Sequence, residues 1–187
     1  MTNNNFKSIE NILAEIIKGF KSISIKKSNL DILGRFAKKD CIDLNSSTLE
    51  LFTMEYLNLP IGIINPFLLV DLDYFTISNI FKRAMINKIF DGSITAKTVD
   101  NYVSDYKRFL MYNDFDKLNI MEVDFTCLNT HVDDLFSRET IKLSAYNNLI
   151  IILNLIFDYA IENGIIEEKF TLPTYYEYAE ACNYSIV

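Results

Sequence analysis

The chain has 187 residues, of which 50% are hydrophobic and 13% aromatic, so it can bury a core without disulfides or a structural metal. Its 5 glycines and 3 prolines supply few of the turns that an all-β protein of this length needs, which favours helices. A formal net charge of -7 repels polyanions at long range and argues against non-specific nucleic-acid binding.

The first part of the chain shows helical spacing of its apolar residues. We predict helices over residues 6–20, over 28–36 after a Ser28 cap, and from Ser46 or Ser47 to a stop before Pro60. The apolar stretch 61–70 contains an asparagine followed by a proline, the order of a helix start, although a short buried strand fits the same pattern.

Later segments continue the helical pattern. Residues 75–89 predict a long helix that ends at the turn of Asp91 and Gly92, and this turn is the predicted domain boundary. Further helices are expected over 97–112, 124–136 and 140–163, the last stopped by Gly164, with a short one near Pro173. The predicted fold class is all-α, with a helical region 1–91, a helical domain 92–168 and a tail 169–187.

Cysteine usage and the N-terminal residues bear on location and cofactors. Cys41, Cys127 and Cys182 are widely spaced and form no CxxC pair, which argues against a disulfide framework and a zinc site. Residues 1–6 are polar, and no apolar run reaches the length of a membrane span. We expect a cytoplasmic protein with no membrane partner and no cofactor, and the sequence leaves its oligomeric state open.

Three segments in a fixed order resemble a known domain. Residues 98–110 have Thr98, then Tyr102, then Asp105 followed by an aromatic, and Phe109 at the end. Residues 144–168 end in Phe157, Tyr159-Ala160 and Gly164-Ile-Ile166, and between the two segments the apolar residues Leu118, Ile120, Val123, Leu128 and Leu135 keep helical spacing. This arrangement, over about residues 92–168, resembles the core-binding (SAM-like, N-terminal) domain of tyrosine recombinases and phage integrases, which implies a helical bundle that grips duplex DNA.

The resemblance does not extend to recombinase catalysis. Where the family has Asn-Pro leading into its catalytic domain, this chain has Glu168-Lys169-Phe170, and only residues 169–187 follow. The recombinase reaction needs two arginines, a lysine, a histidine or tryptophan, and a nucleophilic tyrosine around one phosphate. The chain holds four arginines and one histidine, so we expect it not to be an enzyme.

The resemblance also implies DNA-contacting positions near helix ends. These positions are Lys97, Thr98, Lys107, Arg108, Arg138, Thr140 and Lys142. The N-terminal region from Lys18 to Lys39 would add phosphate contacts, since residues 1–45 hold eight basic residues against five acidic ones. Residues 95–165, in contrast, hold six basic residues against eleven acidic ones, so ordinary surface solubility explains the basic set equally well.

One further pair of residues suggests a metal. Cys127 and His131 are four residues apart and share a helical face, as zinc ligands often do, but no second pair completes the site and core packing is the preferred interpretation. His131, the single histidine, has no serine or cysteine partner for a triad.

Two functional hypotheses follow. The first is a non-catalytic DNA-binding regulator or accessory protein of a phage or mobile element, related to tyrosine recombinases and acting on duplex DNA. The alternative is a protein-interaction module that kept the fold and binds a recombinase, a repressor or a host protein, which the acidic charge favours. A helical enzyme with an unrecognised site is a third interpretation.

Overall fold

A computed structural model of the chain describes residues 26–42, 44, 46–57, 74–137, 142–168 and 177. The α-helices are α1 (Lys27–Ala37), α2 (Ser46–Tyr56), α3 (Ile77–Phe90), α4 (Ala96–Asp105), α5 (Phe125–Phe136) and α6 (Leu143–Glu162). A π-helical turn (Tyr106–Leu110) and two 3-10 turns (Tyr112–Lys117 and Ile120–Glu122) join α4 to α5. No β-strand occurs among these residues, so the all-α prediction is confirmed.

Two compact units divide the chain. The first comprises Met1–Tyr74 and Lys82–Val103, and the second comprises Phe75–Phe81 and Ser104–Val187. The units interleave along the sequence because α3 begins in the second unit and continues in the first. The proposed domain boundary at residue 91 stays a prediction.

The described part of the first unit is held together by α1, α2 and the later turns of α3. Leu33, Phe36, Leu49 and Phe52 are fully buried or nearly so. Arg83 of α3 is buried too, and its guanidinium binds Glu55 of α2 through two nitrogens, with an Nε–Oε2 distance of 2.8 Å. Apolar packing and one buried ion pair therefore fix these helices.

The core of the second unit is built around α6. Ten of its residues are buried, among them Tyr146, Leu149 and Ile156. In the described residues, α6 alone is long and apolar enough to cross a membrane by length and composition, and 56% of its most apolar window is buried. The buried core helix of a globular unit passes the same test, and the ten buried residues of α6 fit that interpretation.

Most predicted helices appear where the apolar spacing placed them. The helices predicted from Ser46, over 75–89 and over 124–136 correspond to α2, α3 and α5. Gly92 and Gly164 follow α3 and α6 with φ of 70° and 65°, the left-handed conformation that glycine adopts without strain. The predicted elements at 6–20 and 61–70 and the short helix near Pro173 lie outside the described residues, apart from helical Glu177.

Three boundaries differ from the prediction. The cap of α1 is Lys26 rather than Ser28, whose hydroxyl instead donates to the Asn29 side chain from inside the helix. Lys142, with extended backbone angles, precedes α6, so this helix starts later than residue 140. The helix predicted over 97–112 is α-helical only to Asp105, after which the Met111 N–H bonds the Tyr106 carbonyl five residues back.

Candidate nucleic-acid interface

Two of the predicted DNA contacts lie side by side on the π turn. Lys107 and Arg108 are exposed, whereas Tyr106, Phe109 and Leu110 of the same turn are buried in the second unit. The Arg108 guanidinium lies 5.0 Å from the ring centroid of Phe109, a cation–π distance. Buried side chains thus anchor a turn that presents two cations to solvent.

A polar contact joins this turn to the first half of α6. The Asn148 Nδ2 donates to Asp105 Oδ1 across 3.4 Å, and the charge of Arg108 also acts on the Asp105 carboxyl. Partial burial raises the pKa of Asp105 above its ordinary value, while Asn148 and Arg108 each oppose that rise. Asp105 is therefore the point at which the end of α4, the π turn and α6 meet.

Lys142 stands at the start of the same helix. It is exposed, it occupies the N-cap position of α6, and the next two residues, Leu143 and Ser144, are also exposed. The N–H groups of a first helical turn carry partial positive charge and favour anions. Lys107, Arg108 and Lys142 thus all belong to the second unit, on elements connected through Asp105 and Asn148.

The other predicted contacts are not part of this cluster. Lys97 is exposed and Thr98 half-buried in the first turn of α4, which belongs to the first unit. The Thr98 N–H donates to Thr95 Oγ1, and the two hydroxyls lie 2.9 Å apart, so Thr95 caps the helix and Thr98 is its partner. Arg138 and Thr140 lie outside the described residues.

The N-terminal basic region is partly neutralised within the first unit. Asp100 of α4 forms ion pairs with Arg35 and with Lys39, the latter at 2.6 Å. Hydrogen bonds from both cations lower the pKa of Asp100. Of the cations of this region that the structure describes, Lys26, Lys27, Arg35 and Lys38 are exposed, and all four lie in or beside α1.

Carboxylates are the commoner exposed charge on the described part of the second unit. The exposed cations there are Lys107, Arg108, Lys117 and Lys142, and Lys117 lies 2.7 Å from Asp114. The exposed acids are Asp114, Glu122, Asp124, Asp133, Asp134, Asp158, Glu162, Glu167, Glu168 and Glu177. Among the described residues of this unit, the exposed cations other than Lys117 are on the π turn and at the start of α6, so a polyanion would be attracted there.

His131 serves packing. Its ring is buried and stacks on Phe115 with centroids 3.8 Å apart, and its Nε2 lies 2.9 Å from the Phe109 carbonyl oxygen. That nitrogen must carry the proton to donate to a carbonyl, which fixes the neutral tautomer. Burial lowers the pKa of His131 to about 4. In the described residues no group of three His, Cys, Asp or Glu side chains is placed to hold a metal.

A buried polar network in the second unit was not expected from the sequence. The Tyr106 hydroxyl donates to Asp116 Oδ2 at 2.6 Å and lies 3.0 Å from Ser78 Oγ, and the Tyr106 ring stacks on Phe81. Ser78 and Asp116 lie 28 and 10 residues from Tyr106 in sequence. Sequence spacing signals helical faces, but it does not show which polar side chains meet across them.

Comparison with protein-family models, curated proteins and solved structures finds no match to the chain.

Proposed function

We propose that the chain is a non-catalytic DNA-binding accessory or regulatory protein, related to tyrosine recombinases and encoded by a phage or mobile element. Its contact surface for duplex DNA comprises Lys107, Arg108, Lys142 and the first turn of α6. The observation that carries this proposal is the exposure of adjacent Lys107 and Arg108 on a turn whose other residues are buried.

The chemistry of the surface suits a phosphate backbone. Lys107 and Arg108 supply charge, and the helix start at Lys142 supplies N–H donors. The buried side chains of the π turn fix the backbone that carries the two cations. The exposed acids elsewhere repel DNA, so binding should be weak and confined to low ionic strength. Three phosphate contacts correspond to a slope of log K against log salt of about -3.

The environment of His131 supports the non-catalytic part of the proposal. His131 is the single histidine, and its ring is buried, neutral and bonded to a backbone carbonyl, so it is not placed to transfer a proton to a substrate. A protein that binds DNA without cutting it would act by occupying a site or by joining a larger nucleoprotein assembly.

Fluorescence anisotropy of a labelled DNA duplex over a salt series tests the proposal. The unaltered chain should bind at low ionic strength, and the Lys107→Glu plus Arg108→Glu variant should lose binding. Lys107→Glu alone and Lys117→Glu form a charge-matched pair, because Lys117 is exposed but already paired with Asp114. No binding by the unaltered chain, or equal losses in the matched pair, would refute the proposed surface.

A protein-interaction module is the second candidate, and the exposed carboxylates of α5 and α6 favour it. Such a module would bind a recombinase, a repressor or a host protein in place of DNA. A pull-down from host lysate after nuclease treatment distinguishes the two candidates, since partners bridged by nucleic acid are lost. Retention of no protein under conditions in which the chain still binds duplex DNA would exclude this candidate.

A further inference from the structure

Three large apolar side chains are exposed in the segment 118–125 of the second unit, and a fourth is exposed in the segment that is hydrogen-bonded to it. Met121 is 56% exposed, Phe125 47%, Leu118 39% and Phe75 38%. Isolated exposed apolar residues are ordinary on protein surfaces, but a group of them signals an interaction site. We refer to these four residues as the 118–125 patch, with Phe75 at its edge.

Backbone hydrogen bonds hold the patch together. Residues 75–77 pair with residues 118–120, because the Ile120 N–H donates to the Phe75 carbonyl at 2.8 Å and the Ile77 N–H to the Leu118 carbonyl at 2.9 Å. The side chains of Ile120 and Val123 in the same segment are buried and anchor it to the unit. The patch is therefore preformed, and a partner would not have to order it on binding.

Two side-chain caps fix the second half of the patch. The Asn119 side chain accepts a hydrogen bond from the Met121 N–H at 3.0 Å, which closes the 3-10 turn that carries Met121. The Asp124 side chain accepts from the Cys127 N–H at 2.7 Å and starts the helix that carries Phe125. The two most exposed members of the patch, Met121 and Phe125, are therefore carried by backbone that hydrogen bonds hold in place.

The charges among these residues are negative. Glu122 and Asp124 are exposed and lie between Met121 and Phe125 in sequence, and Asp133 and Asp134 are exposed further along α5. The nearest described cation in sequence, Lys117, is paired with Asp114. An apolar surface with carboxylates at its rim complements a partner that is apolar on one side and cationic on its flanks.

We infer that the 118–125 patch is a docking surface for a basic amphipathic helix of a partner protein. The apolar face of such a helix would cover Met121 and Phe125, and its lysines or arginines would lie near Glu122 and Asp124. A second copy of the same patch is a poor occupant, since it would bring the same carboxylates together. The inference gives the second candidate function a location and a partner chemistry, and it holds whether or not the chain also binds DNA.

Titration of the full chain with two synthetic amphipathic peptides tests the inference. One peptide carries leucines on one helical face and lysines on the other, and the second has glutamates in place of the lysines. Amide chemical shifts report where the peptide binds, and anisotropy reports its affinity. We expect the lysine peptide to shift the amides of residues 118–125 and the glutamate peptide to bind at least roughly tenfold more weakly.

Paired variants separate the patch from exposed apolar residues in general. Met121→Ser plus Phe125→Ser should weaken binding of the lysine peptide by roughly tenfold or more, since these two side chains form the centre of the proposed contact. The control is Met111→Ser plus Ile151→Ser, which removes side chains 40% and 47% exposed outside the patch. The control should bind like the unaltered chain, and equal losses in both variants would overturn the inference.

Two other results would also overturn it. One is equal binding of the lysine and glutamate peptides, because charge complementarity would then play no part. The other is a dimer in sedimentation velocity that Met121→Ser plus Phe125→Ser dissociates, because a second copy would then be the occupant. Failure of DNA binding is measured separately: Lys107→Glu plus Arg108→Glu should leave the affinity for the lysine peptide undiminished.

Discussion

The hydroxyl of Tyr106 allows a sharp test of how the second unit is held together. This oxygen donates to the Asp116 carboxyl at 2.6 Å, and both residues are buried, with Tyr106 1% exposed and Asp116 8% exposed. Tyr106→Phe removes the hydroxyl and keeps the ring, so the stacking on Phe81, with centroids 4.5 Å apart, is retained. The substitution therefore removes the hydrogen bond to Asp116 and the contact with Ser78 while the ring stays packed.

The expected loss follows from the cost of an unsatisfied buried acceptor. Removing a donor from a buried carboxyl costs about 2 kcal/mol of the free energy of unfolding, because water does not readily replace the lost partner. For a chain of this length that loss lowers the melting temperature by about 4–8 °C. Asp116→Ala in the Tyr106→Phe background should cost less than in the unaltered chain, since the pair no longer interacts.

Thermal unfolding followed by circular dichroism measures the effect. The matched control is Tyr102→Phe on α4, because Tyr102 is half-buried and its hydroxyl makes no hydrogen bond among the described residues. The control should change stability by less than about 0.5 kcal/mol. If Tyr106→Phe were no more destabilising than Tyr102→Phe, the buried network would not contribute to stability as argued.

Two further predictions concern α5. The pKa of His131 falls from 6.5 to about 4 on folding. The stability that the neutral ring contributes to the folded chain is therefore complete above pH 6.5 and is lost as the pH falls towards 4. His131→Gln keeps a donor for the Phe109 carbonyl but does not titrate. Between about pH 7 and pH 5 the unaltered chain should lose about 2 kcal/mol of its free energy of unfolding relative to the variant, measured by urea unfolding. Parallel pH profiles of the two proteins would contradict the pKa assignment. Asp124→Ala removes the cap on the Cys127 N–H and should cost about 1 kcal/mol by the same method, more than Glu122→Ala, and equal effects would contradict the capping role.

The sequence predicted the helices well because the signals that define them are local. The apolar spacing of 75–89 and 124–136 and the glycines at 92 and 164 determine α3, α5 and the ends of α3 and α6 without reference to the rest of the chain. The Ser28 cap failed for a physical reason: Lys26 already has extended backbone angles, and the helix starts one residue before Ser28.

The change from α-helix to π turn after Asp105 could not be predicted from the spacing of apolar residues. Val99, Val103, Tyr106 and Leu110 keep α-helical spacing, so their apolar stripe does not reveal a π turn. The turn coincides with long-range bonds of Tyr106 to Asp116 and of Phe109 to His131, which local periodicity cannot register. Sequence therefore located the basic residues but not the backbone that presents them.

The candidate site was only partly predictable for the same reason. Lys107 and Arg108 were named because they match positions that contact DNA in the recombinase domain, and in the structure both are exposed on the π turn. The contact of Thr98 with the Thr95 cap depends on where the Thr95 hydroxyl lies, and the ion pairs of Asp100 with Arg35 and Lys39 span about 60 residues of sequence. The DNA-binding function of these positions stays a prediction.

Helix α6 has a consequence for how the chain is made. Its length and composition pass the test for a membrane segment, as those of a buried core helix do, so its apolar face needs packing partners as soon as it is synthesised. Two of its described contacts, Asp105 with Asn148 and Phe136 with Tyr146, are made by residues that precede it in the chain. They leave the ribosome first, so α6 emerges beside an already synthesised packing surface.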